Sequence, residues 1–125
     1  MLLLIFLLIP LIETVKITTE ENMKCSKYDN WWYSIRILED DPLVDDEVFN
    51  TGIVYVYKSH ENQEKRVFWI TGDDGWLGGW YFEIRAVITH NCTNHRNPES
   101  FEHFVDDLHI RTEEVSYLFK FNLDQ

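Results

Sequence analysis

Four of the five histidines in this chain fall within twenty residues: His90, His95, His103 and His109, with Asp106 and Asp107 among them. Imidazole and carboxylate together suit zinc or copper. A convergent pair of them would also suit proton transfer in a hydrolase. The spacings match no standard ligand motif, so exposed or capping histidines account for the same residues. A second concentration is acidic. Glu39, Asp40, Asp41, Asp45, Asp46 and Glu47 place six carboxylates in nine residues. Calcium favours such oxygen-rich loops, but Pro42-Leu43-Val44 interrupts the run and no EF-hand spacing accompanies it, which leaves a solvated acidic loop as the plainer reading. The third is the stretch from Gly72 to Trp80, which mixes glycine, Asp73, Asp74, Trp76 and Trp80. No lysine follows and its acids would repel an anion, so it is no phosphate loop. It suits a glycine-flexed loop presenting Trp76 to a partner, or a turn with Trp76 folded over a sheet edge. Candidate binding residues are therefore Trp76, Trp80, Asp73, Asp74, Asp45 and Asp46. Ser34, Ser59, Ser100 and Ser116 stand in no recognisable nucleophile signature. No catalytic residue and no cofactor is assigned.

Charge and composition narrow the class. The 125 residues suffice for one domain, and 45% apolar with 26% charged residues is a globular balance. Eleven basic against 22 acidic residues give a net charge of −11, which opposes nucleic acid and anionic membranes. Met1 to Ile12 is almost wholly apolar. It is far shorter than the roughly 20 residues of a membrane span and has the length of a secretory signal's apolar core. The expectation is a signal peptide over residues 1–18, cut between Thr14 and Thr19, and an exported domain over 19–125. Export places Cys25 and Cys92 in an oxidising compartment. A bridge between them would stabilise the fold by about 3–4 kcal/mol; two buried free thiols are the other reading. Asn91-Cys92-Thr93 is an acceptor pattern for glycosylation at Asn91.

Period-two alternation dominates the rest. Trp80, Phe82, Ile84, Ala86 and Ile88 share one face, and Val115, Tyr117, Phe119, Phe121 and Leu123 another. Tyr33, Ile35 and Ile37 form a third such face, Ile53, Tyr55 and Tyr57 a fourth, and Val67 to Thr71 a fifth. Polar turns separate them at Asp40 to Pro42, Asn50 to Gly52, His60 to Glu64 and Gly72 to Gly75. The pattern predicts an all-β antiparallel sandwich of about seven strands. The 18 aromatic residues after Phe6, many on inward faces, can supply its core. Phe101, Phe104, Val105 and Leu108 have helical spacing behind Asn97-Pro98, which favours one short helix near residues 98–108 followed by a strand near Leu108 to Arg111; His103, Val105 and the pair Leu108–Ile110 also thread as an irregular strand.

Three stretches also go together: Lys24-Cys25 followed by the run Tyr33 to Asp41 and Asp45-Asp46; the strand Phe82 to Thr89 ending in His90-x-Cys92; and the terminal Phe119 to Leu123. In this order they resemble the nematode transthyretin-like family, over residues 24 to 125. The resemblance implies a transthyretin-like β-sandwich, secretion, and a disulfide between the matched cysteines, Cys25 and Cys92. The chain departs from the family where Lys65-Arg66-Val67-Phe68 lacks the usual glycine and where Trp80-Tyr81-Phe82 precedes the His-x-Cys strand. It also lacks the C-terminal Tyr-Arg-Gly-Ser of the hydroxyisourate hydrolases that share this fold, so that activity is not carried over.

The expected function is that of a secreted extracellular binding protein. Its partner would be an apolar small molecule, a lipid or a cell-surface protein. One alternative is a metal-dependent or hydrolytic enzyme built on the His90–His109 segment. The other is a structural extracellular component that self-associates through a strand edge.

Overall fold

A computed structural model describes residues 14–39, 46–71, 81–109 and 113–124. The described chain is almost entirely strand: β1 (Thr14–Lys24), β2 (Trp31–Glu39), β3 (Asp46–Asn50), β4 (Val54–Val56), β5 (Glu61–Thr71), β6 (Tyr81–His90), β7 (Glu99–His109) and β8 (Glu114–Asn122). Eight strands stand where about seven were expected. They form two sheets, one ordered β5-β1-β8 and the other β3-β2-β6-β7, with β4 also paired to β2. Every pairing is antiparallel except β1 with β8, which run parallel from Lys16↔Glu114 to Lys24↔Asn122.

The alternating residues face each other between the sheets. Ile84, Ala86 and Ile88 from β6, Tyr33, Ile35 and Ile37 from β2, and Val15, Ile17 and Met23 from β1 are buried there. The β3/β5 side is closed by Phe49 stacked on Phe68, with ring centroids 4.5 Å apart. β7 and β8, the edge strands of the two sheets, flank the opposite side.

Two sequence expectations are decided by the structure. Of the two readings of 98–108, the favoured short helix gives way to the irregular strand: the stretch is β7, and the helical structure nearby is one 3₁₀ turn, Asn94–Arg96. A bulge explains the helical spacing. Arg85 pairs with Phe104 but Ile84 with Asp106, so Val105 is an extra residue. It brings His103 and Leu108, five residues apart, to the same side of the sheet, while Phe104 points outward and is 59% exposed. Second, Ile53, Tyr55 and Tyr57 point to solvent, and Val54 and Val56 turn inward instead. Both sets are apolar, so alternation alone could not choose between them. The expected cleavage window from Thr14 to Thr19 lies in β1, the central strand of its sheet, where Val15 and Ile17 are fully buried.

β1 also carries an acid inward. Glu21 is 3% exposed. Its Oε2 accepts from Tyr33 Oη at 2.7 Å and its Oε1 from Arg66 Nε at 2.7 Å. Asn62 Nδ2 donates to Tyr33 Oη at 2.9 Å, and Arg66 also pairs with Glu64. Burial works against the Arg66 charge, and the Glu21 carboxylate beside it outweighs that. A buried carboxylate is tolerated only with this degree of pairing.

Near the end of β1 the sheets are joined covalently. Cys25 and Cys92 form a disulfide, with Cα atoms 5.8 Å apart across a sequence separation of 67. Both are fully buried. Closing a loop of that length stabilises a fold by about 4 kcal/mol in the chain-entropy account.

The variant Cys25→Ala/Cys92→Ala should lose about 3–4 kcal/mol in urea unfolding; a loss under about 1 kcal/mol would show that the bridge adds little to the packing. A second expectation concerns alkali. Burial, then the bond to Glu21, raises the Tyr33 phenol above its ordinary value. The unfolded chain releases that proton near about pH 10 while the folded chain keeps it, so stability falls as pH rises past about 10. Tyr33→Phe should cost about 1–3 kcal/mol at neutral pH and flatten the alkaline fall. An unchanged slope of urea midpoint against pH would contradict this role.

Candidate functional site

β7 and β8 bring inward-facing aromatic residues together on the open side of the sandwich. Phe101 meets Phe121 edge to face at 5.2 Å. The His103 ring meets Phe121 at 5.1 Å and Phe119 at 6.1 Å, both edge to face. His90, at the end of β6, lies 6.0 Å from Phe101. Beside these rings is a cleft of about 450 Å³, reached by His90, Glu99, Phe101, His103, Phe121 and Leu123. Phe119 is buried, whereas Phe101, His103 and Phe121 are half-buried. The wall is therefore aromatic and partly open.

Polar groups share the lining: Glu99, Ser100, Glu102 and Asn122 stand with the two imidazoles beside Phe101, Phe121 and Leu123. His90 Nδ1 accepts from the Cys92 N–H at 3.0 Å, which leaves the proton of the neutral ring on Nε2. Burial pushes the His90 imidazole below its usual range; Glu99 and Asp124 oppose that, and Lys27 adds to it. Glu99 is exposed at the start of β7. Glu102 pairs with Arg85 at 2.5 Å on the outer face. The arrangement suits an apolar, ring-bearing molecule, with carboxylate near the opening to favour a positive group.

The histidine cluster of the sequence separates in space. His90 is buried, His95 is exposed in the 3₁₀ turn, and His103 is half-buried on β7. The side chains of Asp106, Asp107 and His109 lie outside the described residues. Among the described residues the one set of three candidate metal ligands is Cys25, Cys92 and Asp124, and there the sulfurs are bonded to each other. Two serines have their hydroxyls engaged away from imidazole: Ser59 donates to the Glu61 carbonyl, and Ser100 bonds Thr89 Oγ1.

Of the candidate binding residues, Asp46 is exposed at the first position of β3. Asp45, Asp73, Asp74, Trp76 and Trp80 lie outside the described residues. Asn91 is 8% exposed, and its Oδ1 accepts from the Trp32 N–H at 2.9 Å. Its side chain is thus a packed structural group in the folded chain. The β7/β8 cleft is not legible in the sequence: alternation marks Phe119, Phe121 and Leu123 as inward, but the stretch that forms β7 carries helical spacing as well.

Acid should weaken the fold through His90. The unfolded chain binds that proton near about pH 6.5 and the folded chain resists it, so the stabilisation is complete above that pH and is lost as pH falls below it. Urea midpoints should drop between about pH 7.5 and about pH 5.5, and less so in His90→Gln. Parallel curves for the two proteins would remove His90 as the cause.

Comparison with family models, with curated proteins and with solved structures returns no match, so this chain's own residues carry the reading of the site.

Proposed function

We propose that the chain is a secreted binding protein of the transthyretin-like type, and that its ligand is a small apolar molecule with an aromatic body and a basic group. The observation that carries this reading is the aromatic cleft between β7 and β8, with Phe101, His103 and Phe121 on its wall. Concave sites that set apolar rings beside placed polar groups are a usual form of small-molecule site. Glu99 and the net charge of −11 favour a cationic group on the ligand. The buried disulfide supports export, since such bonds persist in oxidising compartments. It also supports the family resemblance, which implied this pairing. Among the described residues no helix is long and apolar enough to cross a membrane. Binding is favoured over catalysis because the rings of Phe101 and Phe121 and the side chain of Leu123 offer packing surface beside His90 and His103.

Titration with the neutral fluorophore N-phenyl-1-naphthylamine should give saturable enhancement of emission. A cationic naphthylalkylamine should compete, and a naphthalene sulfonate should compete less well. Phe101→Glu should weaken the probe by about tenfold or more, the equivalent of about 1.4 kcal/mol, with the melting transition retained. Absence of saturable binding, or equal binding by Phe101→Glu, would overturn the assignment.

A further inference from the structure

We infer that the outer face of the five-stranded sheet carries a second site, for a neutral β-linked glycan, that shares only Ser100 with the lining of the cleft. β4 pairs with β2 so that Tyr55 lies opposite Trp32. Trp31 and Tyr33 are buried, so Trp32 between them projects from the outer face, beside Tyr55. Tyr57, two residues on, continues the row. Tyr55 and Tyr57 are 58% and 70% exposed, and their rings lie 6.2 Å apart and 18° from parallel. The Trp32 backbone is held by Asn91, whose side chain accepts its N–H and whose own N–H bonds the Trp32 carbonyl at 3.3 Å.

Next to the rings runs a row of hydroxyls. Ser34 pairs with Thr89, and Thr89 with Ser100, across three neighbouring strands. The Thr89 and Ser100 oxygens are 2.7 Å apart. None of these six side chains is charged, in a chain of net charge −11. That selects against polyanions and lipid headgroups, which would need basic groups here.

The chemistry left is that of a sugar chain. A β-linked pyranose ring presents a face of C–H groups that packs on the electron-rich face of an aromatic ring. Its equatorial hydroxyls reach sideways to hydrogen-bonding groups such as Ser34, Thr89 and Ser100. Near-parallel rings along one strand offer such faces in sequence to a flat, extended chain.

The test uses the full secreted chain with cellohexaose and chitohexaose as probes, and with dextran as an α-linked control. Calorimetry and tryptophan fluorescence should show saturable binding of at least one β-linked probe and none of dextran. Tyr55→Ala and Tyr57→Ala should each weaken it by about threefold to tenfold while melting as the parent does, because both side chains are exposed. Trp69→Ala, at a 60% exposed aromatic on the other sheet, should bind as the parent does. Three results would overturn the inference. One is no binding of either β-linked probe. Another is binding unchanged by both tyrosine variants. The third is sedimentation in which Tyr55 and Tyr57 hold two copies of the chain together.

Discussion

The Cys25–Cys92 bridge and the contacts gathered around it tie one end of the sandwich. The bridge joins the residue after β1 to the second residue after β6, and so one sheet to the other. Asp124, two residues past β8, caps it: its carboxylate accepts from the Ser26 N–H at 2.7 Å, the Ser26 hydroxyl at 2.6 Å and the Lys27 N–H at 3.1 Å, and Oδ1 lies 3.3 Å from Cys92 Sγ. Burial would raise the Asp124 carboxyl, but the bonds from Ser26 and Lys27 prevail and hold it below the usual range. Leu123 N–H bonds the Lys24 carbonyl, and Cys25 N–H the His60 carbonyl. The end of β1, the start of β5, the end of β8 and the exit of β6 therefore meet at one point.

Much of what can bind depends on that junction. His90 receives the Cys92 N–H, so the bridged residue sets which ring nitrogen carries the proton beside the aromatic cleft. Asn91, between His90 and Cys92, holds Trp32 in place on the outer face. Three consecutive residues thus serve the cleft, the outer face and the covalent tie. Opposite faces of the same sheet carry the two proposed sites, because successive residues of a strand project to opposite sides.

The buried Glu21 group has a different role. It sets an acid from the central strand of one sheet against Tyr33 from the other, and Arg66 supplies the compensating charge. Replacing such a group by apolar residues is often neutral or stabilising for a fold. Its value here is register: Glu21 has its partners only if β1, β2 and β5 are aligned as they are, and a slip by one residue would bury the charge without them.

Alternation determined the sheet-forming segments and the inward faces of β2, β6 and β8, because a strand half-buried against a core must repeat every two residues. Net charge and the two cysteines determined which partners are opposed and which covalent tie was available. Tertiary structure decided the remainder. β1 is weakly marked in sequence because Thr19 and Glu21 occupy inward positions, and Glu21 is admissible only through Arg66, 45 residues away. The extra residue at Val105 made β7 resemble a helix, and only its pairing with β6 reveals the bulge. Whether the tyrosines or the valines of β4 face the core turned on which side β2 offered it. The histidines, close in sequence, were separated by strand geometry. Sequence spacing reports a local period, whereas burial and convergence depend on which distant strand lies opposite.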